Sequence, residues 1–302
     1  MESRGVYFLA NDRVKEIAIA FLNSFRLHNP EMPLCLIPFN DDCEGIVSLQ
    51  DEYDFTIFND YDILSACDYV SSIFHGNVCG AYRKFSAWHG GFEEFLYIDI
   101  DTVVLRNIDF SFSFNQKFDV YTSHSDLPGL IQWCWKLSIF EKNVLSRLQI
   151  EFSANTGFIA SRVGVFSVAR FLEAAGEAVS LKNDMRLECM EQPFFNYLFV
   201  NSGVKYSSLR MIYYKYGIAD GPVEYWAGLQ HGKLINNEII IESGPPIFLV
   251  HWAGIMQGVG KRGHYFPYRK LWLHYRHFRS RNDSNHGFFR GFLRFLKPFC
   301  IK

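Results

Sequence analysis

The sequence predicts an α/β protein built on a mostly parallel open sheet flanked by helices. Three observations carry that expectation. Short apolar runs alternate with stretches at helical spacing from the N-terminus onward. The early runs end in polar clusters, at Asn11-Asp12-Arg13, Asn40-Asp41-Asp42 and Asn59-Asp60. A later and strongly apolar segment, LYIDIDTVVL, carries two aspartates. Strand, helix, strand, with each strand closing on polar residues, is how a parallel open sheet begins. In such sheets ligands gather beyond the carboxyl ends of the strands, so the first part of the chain reads as a nucleotide-binding half.

The elements follow in order. Residues 5–10 (GVYFLA) form a buried strand. From Val14 to Leu27 the residues Ile17, Ala18, Phe21, Leu22 and Phe25 fall on one helical face, which stops before Asn29-Pro30. Residues 33–39 and 55–58 are further strands, and 63–73 a helix. Residues 82–88 form a helix ended by Gly90-Gly91, followed by one apolar strand over 95–105. Beyond it come strands at 120–122 and 158–160, helices over 163–179 and 191–198, and a strand at 246–250 that runs into His251. Pro193 sits in a first helical turn, where its missing N–H costs nothing. There is no internal repeat and no Pro, Gly or Ser-rich linker, so residues 1–270 are expected to form one domain and 271–302 a basic tail.

Composition limits the alternatives. Of the 302 residues 49 % are hydrophobic and 21 % charged, ordinary for a chain that buries a core. The aromatic share of 17 % points first to that core, since aromatics dominate burial. A net charge of -2 argues against a general nucleic-acid binder. The seven cysteines lack any C-x-x-C pair and read as reduced, mostly buried thiols, without a zinc site or disulfide framework. No signal peptide is expected at the N-terminus and no run approaches the ~20 apolar residues of a spanning helix, so a cytoplasmic location is expected.

Asp99 and Asp101 are the centre of the functional case. Residues i and i+2 of a strand point to one side, so both carboxylates can face one ligand while Ile100 packs behind. Two hard oxygen donors suit Mg²⁺ or Mn²⁺, cations that also bridge diphosphate oxygens. Carboxylates in so apolar a segment are costly without such a partner. A D-x-D pair alone is a weak signal, and the chain holds a second one, Asp60-Tyr61-Asp62. That pair precedes a helical stretch, where it serves as an N-cap.

LYIDIDTVVL resembles the metal-binding strand of glycosyltransferase family 8 and related GT-A enzymes. Over residues 5–265 the order of other pieces is similar too: VYFLANDRVKEIAIAFLNSFRLHNP at the start, then AYRKFSAW, SANTGF, EQPFFN and HWAG. The resemblance implies a single GT-A domain that binds a nucleotide-sugar, with UDP as the nucleotide, and transfers the sugar with retention. It implies that Asp99, Asp101 and His251 hold Mn²⁺ or Mg²⁺. It places Ala10, Asn11 and Asp12 against the base and ribose, and Arg83 or Lys84 against donor phosphate or sugar. Asn155, Glu191 and Gln192 would line the sugar side, with Gln192 or Glu191 nearest the reacting carbon. Gly254 belongs to the His-x-x-Gly motif. The family's lysine three residues after that glycine is replaced by Gln257, and Lys261 is the substitute on the diphosphate.

Two other readings fit some of these residues. IDIDTVV loosely matches a haloacid dehalogenase-type phosphohydrolase, with Asp99 as nucleophile and Asp101 as acid. A non-catalytic scaffold that binds sugar or membrane is the other. Glu191 or Asp126 could serve as a base if the transfer were inverting. Trp133, Trp135 and Trp226 could stack on sugars or fill the core. In the tail, Phe288, Phe292, Phe295 and Phe299 recur beside Arg290, Arg294 and Lys297, the pattern of a helix lying on an anionic membrane. Unless that helix packs on the domain, the pattern suggests peripheral membrane attachment and a lipid-linked or membrane-surface acceptor; from the residues alone the acceptor is an unidentified glycan or lipid-linked molecule.

Overall fold

The structure is a computed structural model that describes residues 2–229, 231–242, 244–256 and 265–279. Its strands in chain order begin with β1 (Glu2–Ala10), β2 (Leu34–Pro38), β3 (Thr56–Ile57) and β4 (Phe92–Ile98). There follow β5 (Thr102–Val104), β6 (Val120–Thr122), β7 (Phe158–Arg162) and β8 (Tyr206–Ser208), then β9 (Val223–Trp226), β10 (Lys233–Ile235), β11 (Glu238–Ile240) and β12 (Ile247–His251). Seven strands make the main sheet, in the order β3-β2-β1-β4-β7-β6-β8. The pairings β1–β2, β1–β4, β2–β3 and β6–β8 are parallel, and β7 runs antiparallel to both its neighbours. The mostly parallel sheet expected from the sequence is therefore present.

The chain builds β2 and β3 outward on one side of β1, then returns to place β4 on the other side. Strand order thus reverses between β1 and β4, and the carboxyl ends of these two strands flank the crevice that such a reversal opens. Ala10 ends β1, and Asp99 follows β4.

Alternation along β1 explains the two-sided core. Val6 and Phe8 face one layer, where helix Lys15–His28 lays down Ile17, Phe21 and Phe25. Tyr7 and Leu9 face the other, filled by Tyr82, Phe85, Trp88, Phe194, Phe195 and Phe199. In that second layer Phe85 stacks on Phe171 with ring centroids 3.8 Å apart, and Trp88 meets Phe95 edge-on at 5.4 Å. The Phe excess of the composition goes into core packing in both layers.

The structure differs from the sequence expectation most at residues 95–105. In place of one strand there are two, and Asp99-Ile100-Asp101 is the step between them. β4 ends in the main sheet, while β5 joins a three-stranded sheet ordered β5-β12-β9. Central positions of a sheet covered on both faces do not accommodate two carboxylates, and the chain turns out at that point. Thr102 Oγ1 donates to Asp99 O at 2.7 Å and pins the turn. Other differences are smaller. Residues 82–88 lie in a 3-10 run, Gly80–His89. The helix expected from 163 starts at Val168, behind a turn at Gly164 (φ 76°) and an N-cap at Ser167. Helix Leu209–Tyr216, strand β9 and hairpin β10–β11 had no sequence forecast.

Near the end of the described chain, helix Arg269–Arg276 packs on helix Lys15–His28 with Leu271, Trp272 and Tyr275 buried. Asn23 Nδ2 donates to Tyr275 O at 2.8 Å, fixing the two helices together. This helix straddles residue 270, the expected end of the domain. The tail residues 280–302 lie outside the described residues. The six described cysteines are free thiols. Among the described residues no helix is long and apolar enough to cross a membrane.

The second D-x-D pair is a cap. Asp60 is the N-cap of helix Tyr61–His75, and its side chain accepts from the backbone N–H of Asp62 and Ile63 at 3.1 and 3.2 Å. Asp60→Ala should lower stability by about 1 kcal/mol in urea titrations while leaving cation and nucleotide binding unchanged. Loss of cation binding in this variant would contradict the assignment.

Candidate active site

Backbone register brings the site together. β12 pairs antiparallel with β5, setting His251 opposite Thr102, and Trp252 N donates to Asp101 O at 2.9 Å. His251 therefore lies beside Asp101, with Nε2 3.1 Å from Asp101 Oδ1. Asp99 N continues the main-sheet ladder by donating to Gly157 O at 2.8 Å. The ligand atoms of Asp99, Asp101 and His251 all lie within 4.8 Å of one another. The close approach depends on Gly157. A Cβ there would stand 2.5 Å from His251 Cε1 and 2.8 Å from Asp99 Oδ2.

Lys84 reaches this cluster from the 3-10 run. Its Nζ is 3.1 Å from Asp99 Oδ1, 2.5 Å from Glu191 Oε1 and 3.4 Å from Thr156 O. Burial works against the ammonium, but Asp99 and Glu191 outweigh it and hold Lys84 above the ordinary lysine value. Tyr97 donates to Asp99 Oδ1 at 2.6 Å, and its phenol is pushed well up by burial and then by Asp99. Burial likewise opposes a charge on His251, yet Asp101 and Glu224 raise its imidazole well above the usual histidine value. Glu224 Oε1 is 2.5 Å from His251 Nδ1. Four carboxylates (Asp99, Asp101, Glu191 and Glu224) thus face two cationic side chains, an excess of negative charge that a divalent cation would cancel.

The sugar-side candidates form one connected group. Asn155 Oδ1 accepts from Gly157 N at 2.8 Å. Thr156 Oγ1 donates to Glu191 Oε1 at 2.9 Å, and Thr156 N to Gln192 Oε1 at 3.3 Å. Gln192 Nε2 in turn donates to Trp133 O at 3.2 Å. Asn196 supports this edge by bonding both the N–H and the C=O of Ala154, at 2.7 and 2.8 Å. Trp135 and Trp226 are core residues, each 1 % exposed. Trp133 is half-buried, its ring 5.8 Å from that of Trp226, which itself meets the His251 ring edge-on at 6.3 Å. Asp126 is paired with Arg210 Nε at 3.2 Å.

On the donor side the structure separates residues that the sequence grouped. Ala10 and Asn11 lie buried at the carboxyl end of β1, as the strand pattern requires. Asp12, expected at the ribose, has partners within the chain. Its two carboxylate oxygens accept from Gly45 N and Ile46 N, both at 2.9 Å, so it caps the turn Glu44–Val47. Arg83 is likewise turned away from Asp99: it grips Asp68 through Nε and Nη2 at 2.8 and 2.6 Å, and Pro38 O through Nη1 at 3.0 Å. Of the two basic candidates, Lys84 is the one at the cluster. Gly254 is in a left-handed turn (φ 71°) just after Trp252. Gln257 and Lys261 lie outside the described residues.

Sequence reasoning missed Glu224, Thr156 and Tyr97. Glu224 had a readable signal, a lone acid inside the apolar run VEYW, of the same kind that drew attention to Asp99.

Fold and site together define a GT-A architecture, and solved structures share it. The galactosyltransferase LgtC, determined with donor and acceptor sugar analogs, aligns over 90 % of this chain and 95 % of its own with a TM-score of 0.55 at 12 % identity. An active-site mutant of LgtC aligns over 83 % of this chain and 87 % of its own, with a TM-score of 0.52 at 11 % identity. The glycosyltransferase GlyE of Streptococcus pneumoniae TIGR4 aligns over 91 % of this chain with a TM-score of 0.51 at 14 % identity, and the match spans 60 % of GlyE. No protein-family model matches the sequence, and no curated protein matches it.

Two variants test the geometry. Gly157→Ala should leave the far-UV circular dichroism unchanged and abolish Mn²⁺ binding measured by electron paramagnetic resonance, because the new methyl separates Asp99 from His251. Lys84→Met should cost about 3 kcal/mol or more in denaturant titrations, since it leaves Asp99 and Glu191 without their cation. Native stability in Lys84→Met would contradict the role given to that ammonium.

Proposed function

We propose that the chain is a glycosyltransferase that moves a sugar from a UDP-sugar to a glycan or lipid-linked acceptor with the help of Mn²⁺ or Mg²⁺. The observation that carries this reading is the convergence of Asp99, Asp101 and His251 beside the β1–β4 crevice of a GT-A fold. Membership of glycosyltransferase family 8 and transfer with retention belong to the same proposal.

The donor set fits a divalent cation. Two carboxylates supply hard oxygens, the net charge of the cluster is negative, and one imidazole adds a nitrogen that favours Mn²⁺ over Mg²⁺. Bound there, the cation would act as a Lewis acid on the departing diphosphate. The chain's own residues do the rest. Lys84 holds Asp99 and Glu191 in place through its two ion pairs, and brings a fixed positive charge to the edge of the donor site. Ala10 and Asn11 offer the end of β1 to the nucleoside, while Asp12 shapes the neighbouring turn. Gln192 presents its carboxamide in an orientation set by Thr156 N and Trp133 O. Preorganised dipoles of this kind lower the barrier because they need no rearrangement during reaction. Glu191 is occupied by Lys84 and Thr156, and Asp126 by Arg210. Neither carboxylate stands free as a base, which supports a retaining transfer. Of Trp133, Trp135 and Trp226 only Trp133 is not fully buried, and it is the indole that would meet an acceptor sugar. Lys261 on the diphosphate, and the tail on an anionic membrane, rest on sequence pattern alone.

The phosphohydrolase alternative loses its basis. The fold is GT-A, and Asp101 is paired with a histidine from a second sheet, which gives no free acid two residues after a nucleophile.

Calorimetry of UDP-sugar binding with and without Mn²⁺, on the native chain and Asp101→Ala, tests the proposal. Metal-dependent binding that disappears in the variant is expected, along with a fall in transfer or donor hydrolysis of roughly a hundredfold or more. Nucleotide binding that ignores both the metal and Asp101 would overturn the reading.

A further inference from the structure

Glu224 is a buried charge that the chemistry above does not use. It lies on β9, whose four residues are all buried, and its side chain is fully shielded from solvent. A carboxylate in such a place is costly unless it is paired and hydrogen-bonded. Both of its oxygens are committed: Oε1 to His251 Nδ1 at 2.5 Å, and Oε2 to the hydroxyl of Ser123. Its main chain is held as well, because the ring Nε2 of His124 bonds Glu224 O at 2.9 Å. The arrangement leaves Glu224 one position and one orientation, aimed at a single ring nitrogen.

We propose that Glu224 is the positioning residue of the cation site: by accepting a hydrogen bond from the Nδ1–H of His251 it fixes the imidazole tautomer and ring plane, leaving Nε2 as the nitrogen for the metal. The inference rests on the functional reading above and adds a residue to it. Neutral imidazole carries its proton on either nitrogen, and a proton on Nε2 would block the ligand position beside Asp101. A carboxylate on Nδ1 removes that choice and makes the remaining nitrogen a better donor. The Trp226 ring, edge-on to His251 at 6.3 Å and to His124 at 5.7 Å, flanks the same pair. Ser123 and Glu224 come from β-strand ends more than ninety residues apart, so the contact is built by the fold and not by local sequence.

The experiment measures cation affinity directly on the full chain, by electron paramagnetic resonance for Mn²⁺ and by competition for Mg²⁺, in the native protein and Glu224→Gln. Glutamine keeps the shape and one acceptor oxygen and removes the charge. Mn²⁺ affinity should fall 10- to 100-fold, and Mg²⁺ affinity by less, because the nitrogen donor matters more to Mn²⁺. A role in packing alone would weaken both equally, so equal losses, or affinities within twofold of native, overturn the inference. If the native chain binds no divalent cation, the functional reading falls too; if it binds and Glu224→Gln matches it, only this inference falls. Should the variant not fold, ¹⁵N spectra of labelled histidine in the native Mg²⁺-loaded chain decide the matter. Nδ1 protonated and Nε2 bound is expected, and a ring protonated on Nε2 overturns the proposal.

Discussion

Between Ile98 and Thr102 the chain leaves one sheet and enters another, and the two aspartates occupy the step. Everything at the site follows from that break. The last ladder bond of the main sheet, Asp99 N to Gly157 O, brings the β7 segment alongside. The first pairing of the small sheet, Thr102 with His251, brings β12 in from the other side. Two backbone registers, each fixed by apolar residues far from the chemistry, thereby set three side chains against one another. A residue such as Gly157 is required because the registers leave no room for a methyl group between them.

Electrostatics then decides what the cluster can hold. Four acidic side chains gather here, Glu191 and Glu224 buried and Asp99 and Asp101 half-buried, and Lys84 and His251 answer only part of their charge. Lys84 is buried and therefore expensive, yet it stays protonated because Asp99 and Glu191 lie on either side of it. The same balance keeps Glu224 ionised: burial pushes its carboxyl up, but His251 and then His124 and Ser123 bring it below the usual glutamate range. Removing Lys84 or His251 would leave Glu191 or Glu224 as a stranded buried charge, where the penalty exceeds the value of the original pair. The remaining negative excess is what a divalent cation would neutralise while also binding a diphosphate.

Much of this could be read from the sequence, and the limits have physical causes. Polar residues closing each of the first three apolar runs located the carboxyl ends of β1, β2 and β3, and the helix after Asp60 exposed the second D-x-D as a cap. The strand break was hidden because Val103, Val104 and Leu105 are as apolar as the residues before Asp99, so periodicity alone runs straight through. The choice between Arg83 and Lys84 needed three dimensions: adjacent residues on a tight helix point to different places, one to Asp68 and the other to Asp99. The bonds that Asp12 makes to Gly45 and Ile46 could not be read from the sequence, because those partners are more than thirty residues away. Strand β9 escaped notice because it is only four residues long and follows a proline, and with it went Glu224.

The central claim is that the step between the two sheets is a divalent-cation site. Anomalous scattering from crystals of the native chain soaked in Mn²⁺ tests it most directly. The account predicts one strong peak within bonding distance of Asp99, Asp101 and Nε2 of His251, with Nδ1 still on Glu224. A peak elsewhere, or none while His251 remains paired with Asp101, would contradict it.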